Sequence, residues 1–259
     1  MRESSYDVLA DPVVQALIAE AAADADVIGL VVTGSRAGGV VTPESDYDIV
    51  FVVCDATLER YATQGTPVRG ATLAPPLDTA DVWHAAPRTL RLDTVAPWML
   101  PAWAEARVLY DRAGETARLL AALRVMPEET ARTAVRTWYD TYLNGLYRSL
   151  KAWRRGDTLG GRLEAAQTAD ALLHLLFALE RRWRPYSSRV SVHLATLAGQ
   201  GWRPDELRTI LLTLIATGDP AQQQEVARRV ARLLRERGFH AVYEGWDGKI
   251  DQALTWRFG

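Results

Sequence analysis

The chain has 259 residues, 48% hydrophobic and 24% charged, with nine Trp and nine Tyr. That is enough apolar mass for one large domain or two small ones, and it excludes a disordered chain. The formal charge of −2 is unevenly divided: residues 1–130 hold 10 Arg against 19 Asp and Glu, whereas residues 131–259 hold 20 basic against 13 acidic groups. Complementary halves of this kind suit a polyanion held between an acidic, metal-using part and a basic part, and they equally suit two halves docking on each other. The single Cys54 excludes an internal disulfide and a cysteine-ligated structural zinc. No apolar run reaches the roughly 18 residues of a membrane span, and MRESSYDVLADP lacks the apolar centre of a signal peptide. A cytoplasmic protein with no membrane partner is expected.

In chain order, Asp11 before Pro12 is a helix-start signal, and the spacing after it predicts a helix over 12–25. Two short β-branched runs, 27–33 and 49–54, predict buried strands flanking the loop GSRAGGVVTPES. After a stretch punctuated by Pro67, Gly70, Pro75 and Pro76, residues 80–85 predict a third strand and 106–111 a fourth. From Pro127 onward helical periodicity dominates, over 128–155, 161–183, 205–217 and 220–238, with breaks at Gly156, Gly160, Pro185, Gly201, Pro204 and Gly218 to Pro220. The expected fold is α+β, with a small mixed-sheet core in residues 1–128 followed by an α-helical bundle in 129–259.

The chemistry-bearing residues are concentrated in 34–48. Asp46 and Asp48 stand two apart at the start of a predicted strand, so their carboxylates point to one side. Paired carboxylates bind hard cations, and Mg²⁺ commonly takes one or two of them together with phosphate oxygens. Gly34-Ser35 directly follows a strand and opens a predicted short helix, SRAG. There glycine lets the backbone approach a phosphate, to which the serine hydroxyl and free amides donate.

Taken together, Gly34-Ser35-Arg36-Ala37-x-Gly39, five residues, then Ser45-Asp46-Tyr47-Asp48 and an apolar strand resemble the signature of the polymerase-beta-type nucleotidyltransferase superfamily. The resemblance covers residues 27–54. It implies that Gly34 and Ser35 hold nucleotide phosphates and that Asp46 and Asp48 bind two Mg²⁺ ions. It also implies a third catalytic and metal-binding carboxylate on a later strand, for which Asp81 is the candidate and Asp78 the reserve. Arg36 either meets phosphate or faces solvent. The wider layout, a small α/β half followed by helices, resembles the antibiotic nucleotidyltransferases that modify aminoglycosides or lincosamides.

In the helical half, Asn144, Arg148 and Lys151 recur at spacings of four and three and share a helix face able to contact the nucleotide. Tyr139, Tyr142 and Tyr147 beside them are expected in the bundle core, and so is His174. His84 is expected close to Asp81 on the third strand. Glu164 on the following helix is a surface carboxylate or an acceptor-orienting group. The function expected from the resemblance is Mg²⁺-dependent transfer of a nucleoside monophosphate, AMP from ATP or another NTP, to a hydroxyl of a small molecule. Nucleotidylation of a protein or RNA acceptor, or nucleotide binding without catalysis, are the alternatives. A nucleic-acid partner is disfavoured, since a chain of pI 6.1 need not carry a continuous basic track. Oligomeric state has no signature in the sequence.

Overall fold

The computed structural model describes residues 6–39, 41–42, 45–70, 80–197 and 201–258. The fold is α+β, and the chain divides into two compact units, Met1–Val125 and Met126–Gly259.

The first unit runs α1 (Pro12–Ala23), β1 (Val27–Val32), α2 (Gly34–Ala37), β2 (Tyr47–Val53), α3 (Asp55–Gln64), β3 (Ala80–Ala85), α4 (Leu100–Glu105), β4 (Arg107–Asp111) and α5 (Glu115–Arg124). The Asp11 side chain accepts a hydrogen bond from the Val13 amide and Pro12 fills the first helical position, so α1 begins where its sequence says it should. The four strands are ordered β3-β2-β1-β4. β1 lies antiparallel to β2 and β4, and β2 pairs with β3 in parallel.

β1 and β2 are nearly continuous β-branched runs because both faces of the central sheet are covered. On one face Leu30, Val32, Ile49, Phe51 and Val53 pack with Val14, Leu17 and Ala21 of α1. On the other, Val31, Val50 and Val52 are fully buried. There α5 approaches so closely that a Cβ at Gly29 would fall 2.8 Å from the Cβ of Thr116. Burying Val, Ile or Leu side chains of this kind contributes about 1.5–3 kcal/mol each, before the entropy of ordering them is set against it.

All four expected strands are present, with β2 beginning two residues early, at Tyr47, so that Asp48 lies inside the ladder. Helices α3 and α5 were not expected. Each is a 10-residue segment, and α3 carries one buried side chain, Thr57, so its apolar periodicity is faint.

The second unit consists of α6 (Glu128–Arg154), α7 (Thr158–Leu179), α8 (Val190–Leu194), α9 (Pro204–Thr217), α10 (Pro220–Glu236), α11 (His240–Glu244) and α12 (Lys249–Leu254). Its core is built from Tyr139, Tyr142, Leu143, Leu146 and Leu150 of α6 against Leu172, Leu175, Leu176 and Phe177 of α7, closed by leucines of α9 and α10. Asp157 caps α7 through the Gly160 amide at 2.8 Å, and Ser149 donates to the Gly161 carbonyl at 2.7 Å. Among the described residues, no helix is long and apolar enough to cross a membrane.

Candidate active site

Three strand ends form the site in the first unit. β1 delivers the chain to Thr33, whose amide donates to the Asp48 carbonyl at 2.9 Å. The chain then turns at Gly34, with φ of +64°, into the single turn of α2, which carries the half-buried Ser35. Only glycine fits at position 34: a Cβ there would lie 2.9 Å from the carboxyl carbon of Asp48 and closer still to its Oδ2. The Gly-Ser turn and the second aspartate are thus in direct packing contact.

Asp46 precedes β2, and Asp48 is its second residue. In extended chain, residues two apart face the same way. The parallel register pairs Asp48 with Asp81 of β3, which brings the third side chain to the same face. One carboxylate oxygen from each of Asp46, Asp48 and Asp81 lies within 4.8 Å of the others. Asp46 and Asp81 are exposed and Asp48 is half-buried. The Asp48 carboxyl is pushed above the ordinary carboxylate range, first by burial and then by the negative charges of Asp46 and Asp81. Among the described residues, no cationic side chain forms an ion pair with any of the three. Hard oxygen donors that repel one another across a gap of this size fit a divalent cation such as Mg²⁺, which would relieve the repulsion. Asp78 lies outside the described residues.

Tyr47, between the two aspartates, faces the opposite side of the strand. Its hydroxyl donates to Asp11 Oδ2 at 3.0 Å, and its ring lies 3.6 Å beneath the Arg36 guanidinium. Arg36 neither projects into solvent nor stands free to meet a phosphate. It donates to the carbonyls of Ser45 and Asp46, both at 2.9 Å, and to the Tyr6 hydroxyl at 3.1 Å, and its side chain is 12% exposed. This enclosure corrects the solvent-facing reading of Arg36. Asp11 gathers the network. Burial alone would raise its carboxyl, but hydroxyls from Tyr6 and Tyr47 and the Val13 and Val14 amides outweigh that and hold it low. The Tyr6 hydroxyl is pushed up to about 12, chiefly by burial and by its bond to Asp11, and stays protonated as a donor.

His84 does not join the carboxylates. It is paired in register with Phe51, on the other face from Asp81. It packs edge-on against Tyr61 and accepts from Arg69 Nε at 3.3 Å, while burial and then the Arg69 charge lower its pKa.

In the second unit, Asn144, Arg148 and Lys151 all lie on α6. Asn144 and Arg148 are exposed, and Arg148 forms an ion pair with Glu164 of α7. The Lys151 ammonium is 5.2 Å from the Tyr147 ring centroid. His174 stacks on Trp138 with centroids 3.8 Å apart, and burial lowers its pKa to about 4. Tyr139 and Tyr142 are core residues, whereas Tyr147 is partly buried against that core.

A family model described as a domain of unknown function, DUF4037, matches residues 94–188, a stretch that contains none of the three aspartates. No curated protein matches the chain. Among solved structures, the chain is similar to a nucleotidyltransferase-like protein from Exiguobacterium sibiricum, with 14% identity and a TM-score of 0.44, covering 93% of this chain and 78% of that one.

The sequence reading missed the Tyr6, Asp11, Arg36 and Tyr47 network. Asp11 was visible only as a helix cap, and nothing in the spacing of four residues spread over more than 40 positions announces that they meet.

Proposed function

We propose that the chain catalyses Mg²⁺-dependent transfer of a nucleoside monophosphate, AMP from ATP, to a hydroxyl group of a small molecule. The observation that supports this reading is the convergence of Asp46, Asp48 and Asp81 beside the Gly34-Ser35 turn. In it, Asp46, Asp48 and Asp81 hold the divalent ions. Such ions, when bound, neutralise triphosphate charge and stabilise the attacking and leaving oxygens of an in-line displacement. Gly34 lets the backbone approach a phosphate, and the Ser35 hydroxyl donates to it. The acceptor oxygen forms a bond to the α-phosphorus as the bond from that phosphorus to the bridging oxygen breaks, so that pyrophosphate leaves with the bonding pair. Asp81, exposed and on an outermost strand of the sheet, accepts the acceptor's proton.

The test is calorimetry of ATP binding with and without Mg²⁺, followed by measurement of pyrophosphate release with hydroxyl-bearing aminoglycosides, lincosamides and protein or RNA acceptors. Binding should require Mg²⁺ and disappear in the Asp46→Asn, Asp48→Asn double variant. Equal ATP affinity in that variant would sink the assignment. Release driven by a macromolecular acceptor alone would move the activity to that class.

A further inference from the structure

We propose that Arg36 is a positioning residue that fixes Asp46 for ion binding, by forking onto the backbone that carries it instead of touching nucleotide. The inference rests on the ion-binding reading of the three aspartates and extends it to a residue outside them.

Asp46 needs such support because it stands just before β2 and outside the ladder that holds Asp48 and Asp81 in register. Its own strand leaves it one end of a loop. Arg36 replaces the missing ladder bonds. Nε donates to the carbonyl of Asp46 and a terminal nitrogen donates to that of Ser45, both at 2.9 Å, a planar two-point grip that a guanidinium can make and an ammonium cannot. The grip is itself anchored. The other terminal nitrogen reaches Asp11 Oδ2 at 3.4 Å and Tyr6 at 3.1 Å, and the guanidinium lies flat over the ring of Tyr47. Tyr47 hydrogen-bonds in turn to Asp11, the cap of α1. The residue inside Asp-x-Asp therefore ties the outward face of this segment to Arg36 and to the cap of α1.

With donors engaged on the Ser45 and Asp46 carbonyls, on Tyr6 and on Asp11, Arg36 has its charge largely enclosed, at 12% exposure beside a 9% exposed carboxylate. A residue held this way orients an ion ligand and leaves phosphate to other groups. The experiment is Mn²⁺ titration of the full chain, followed by free-ion paramagnetic resonance, on wild type, Arg36→Lys, Asp11→Asn and Tyr47→Phe. Circular dichroism reports folding, and calorimetry reports ATP affinity at limiting and saturating Mg²⁺. Arg36→Lys keeps the charge and loses the fork, so Mn²⁺ affinity should fall about tenfold or more, the usual effect of disturbing a group that orients a metal ligand. Saturating Mg²⁺ should then restore wild-type ATP affinity. Asp11→Asn keeps a good helix cap while loosening the anchor, and should weaken Mn²⁺ binding even if Arg36→Lys fails to fold. Tyr47→Phe keeps the ring and should have the smallest effect of the three.

Unchanged Mn²⁺ affinity in both Arg36→Lys and Asp11→Asn would overturn the clamp while leaving the ion site intact. ATP affinity that stays low in Arg36→Lys at saturating Mg²⁺ would overturn it too, in favour of a phosphate contact. If wild type itself binds no Mn²⁺, the ion-site reading fails and the clamp's role fails with it.

Discussion

Gly34 and Asp48 share a volume that holds one side chain and not two, so the turn that follows β1 and the carboxylate inside β2 are a single steric unit. A residue type at one position of the chain is dictated by a functional group 14 places later.

Gly34→Ala should therefore do two kinds of damage. The left-handed φ of +64° is unfavourable for an L-residue by about 1–2 kcal/mol, and the added methyl must push Asp48 aside. Gly39→Ala is the control, because φ there is +72° with open space around it. Both variants should melt earlier, but Mn²⁺ affinity should fall only in Gly34→Ala. An equal loss in both would show that the packing against Asp48 has no bearing on the ion.

The Asp48 carboxyl makes a prediction of opposite sign for stability and for binding. Its folded pKa is raised by burial and by Asp46 and Asp81, so in metal-free protein its charge opposes folding above that pKa. That penalty is relieved as pH falls through the folded pKa toward the unfolded value. Asp48→Asn should thus leave the metal-free melting temperature unchanged or higher while abolishing Mn²⁺ binding. Wild-type Mn²⁺ affinity should decline over the same acid range, since proton and cation compete for one carboxylate. Thermal melts and ion titrations between pH 4 and 7, with and without Mn²⁺, check both signs.

Asp81→Asn should lower turnover by orders of magnitude with the fold intact, whereas Asp78→Asn should leave turnover near wild type. Pyrophosphate release under saturating ATP ranks the two. The reverse ranking would remove Asp81 from the chemistry.

Arg148 and Lys151 can be separated from mere scaffolding. Arg148 is 60% exposed in its ion pair with Glu164, and exposed pairs contribute about 0–1 kcal/mol. Arg148→Ala should hardly change the melting temperature. If both residues contact phosphate, Arg148→Ala and Lys151→Ala should each weaken ATP binding by about 1–3 kcal/mol, the range for charged hydrogen bonds. Normal ATP binding in both would confine nucleotide contacts to other residues.

The two inner strands were readable because they are apolar and β-branched, and the two longest helices because their apolar spacing persists over many turns. Short helices such as α3, with little to bury, leave no such trace. Asp48 of β2 and Asp46 just before it share a face by extended-chain periodicity alone, which is local. That Asp48 stands opposite Asp81 depends on parallel pairing across 33 positions, a matter of register that no local spacing encodes. Arg36 was hardest to read, because a guanidinium near a Gly-Ser turn suits phosphate, solvent or backbone equally until its neighbours are in place.

The strand order β3-β2-β1-β4 has one further consequence. Two of the carboxylates belong to an inner strand and its lead-in, but Asp81 sits on an outermost strand, and among the described residues that strand is zipped to the sheet along one side only. Outer strands fray first, in openings far cheaper than global unfolding. Each such opening would carry Asp81 away while Asp46 and Asp48 stay where they are, so the trio is intermittently a pair. A cation bridging all three would act as a rivet across that seam. Amide exchange in Ala80–Ala85 would then slow when Mn²⁺ is added, and exchange in Val27–Val32 would not.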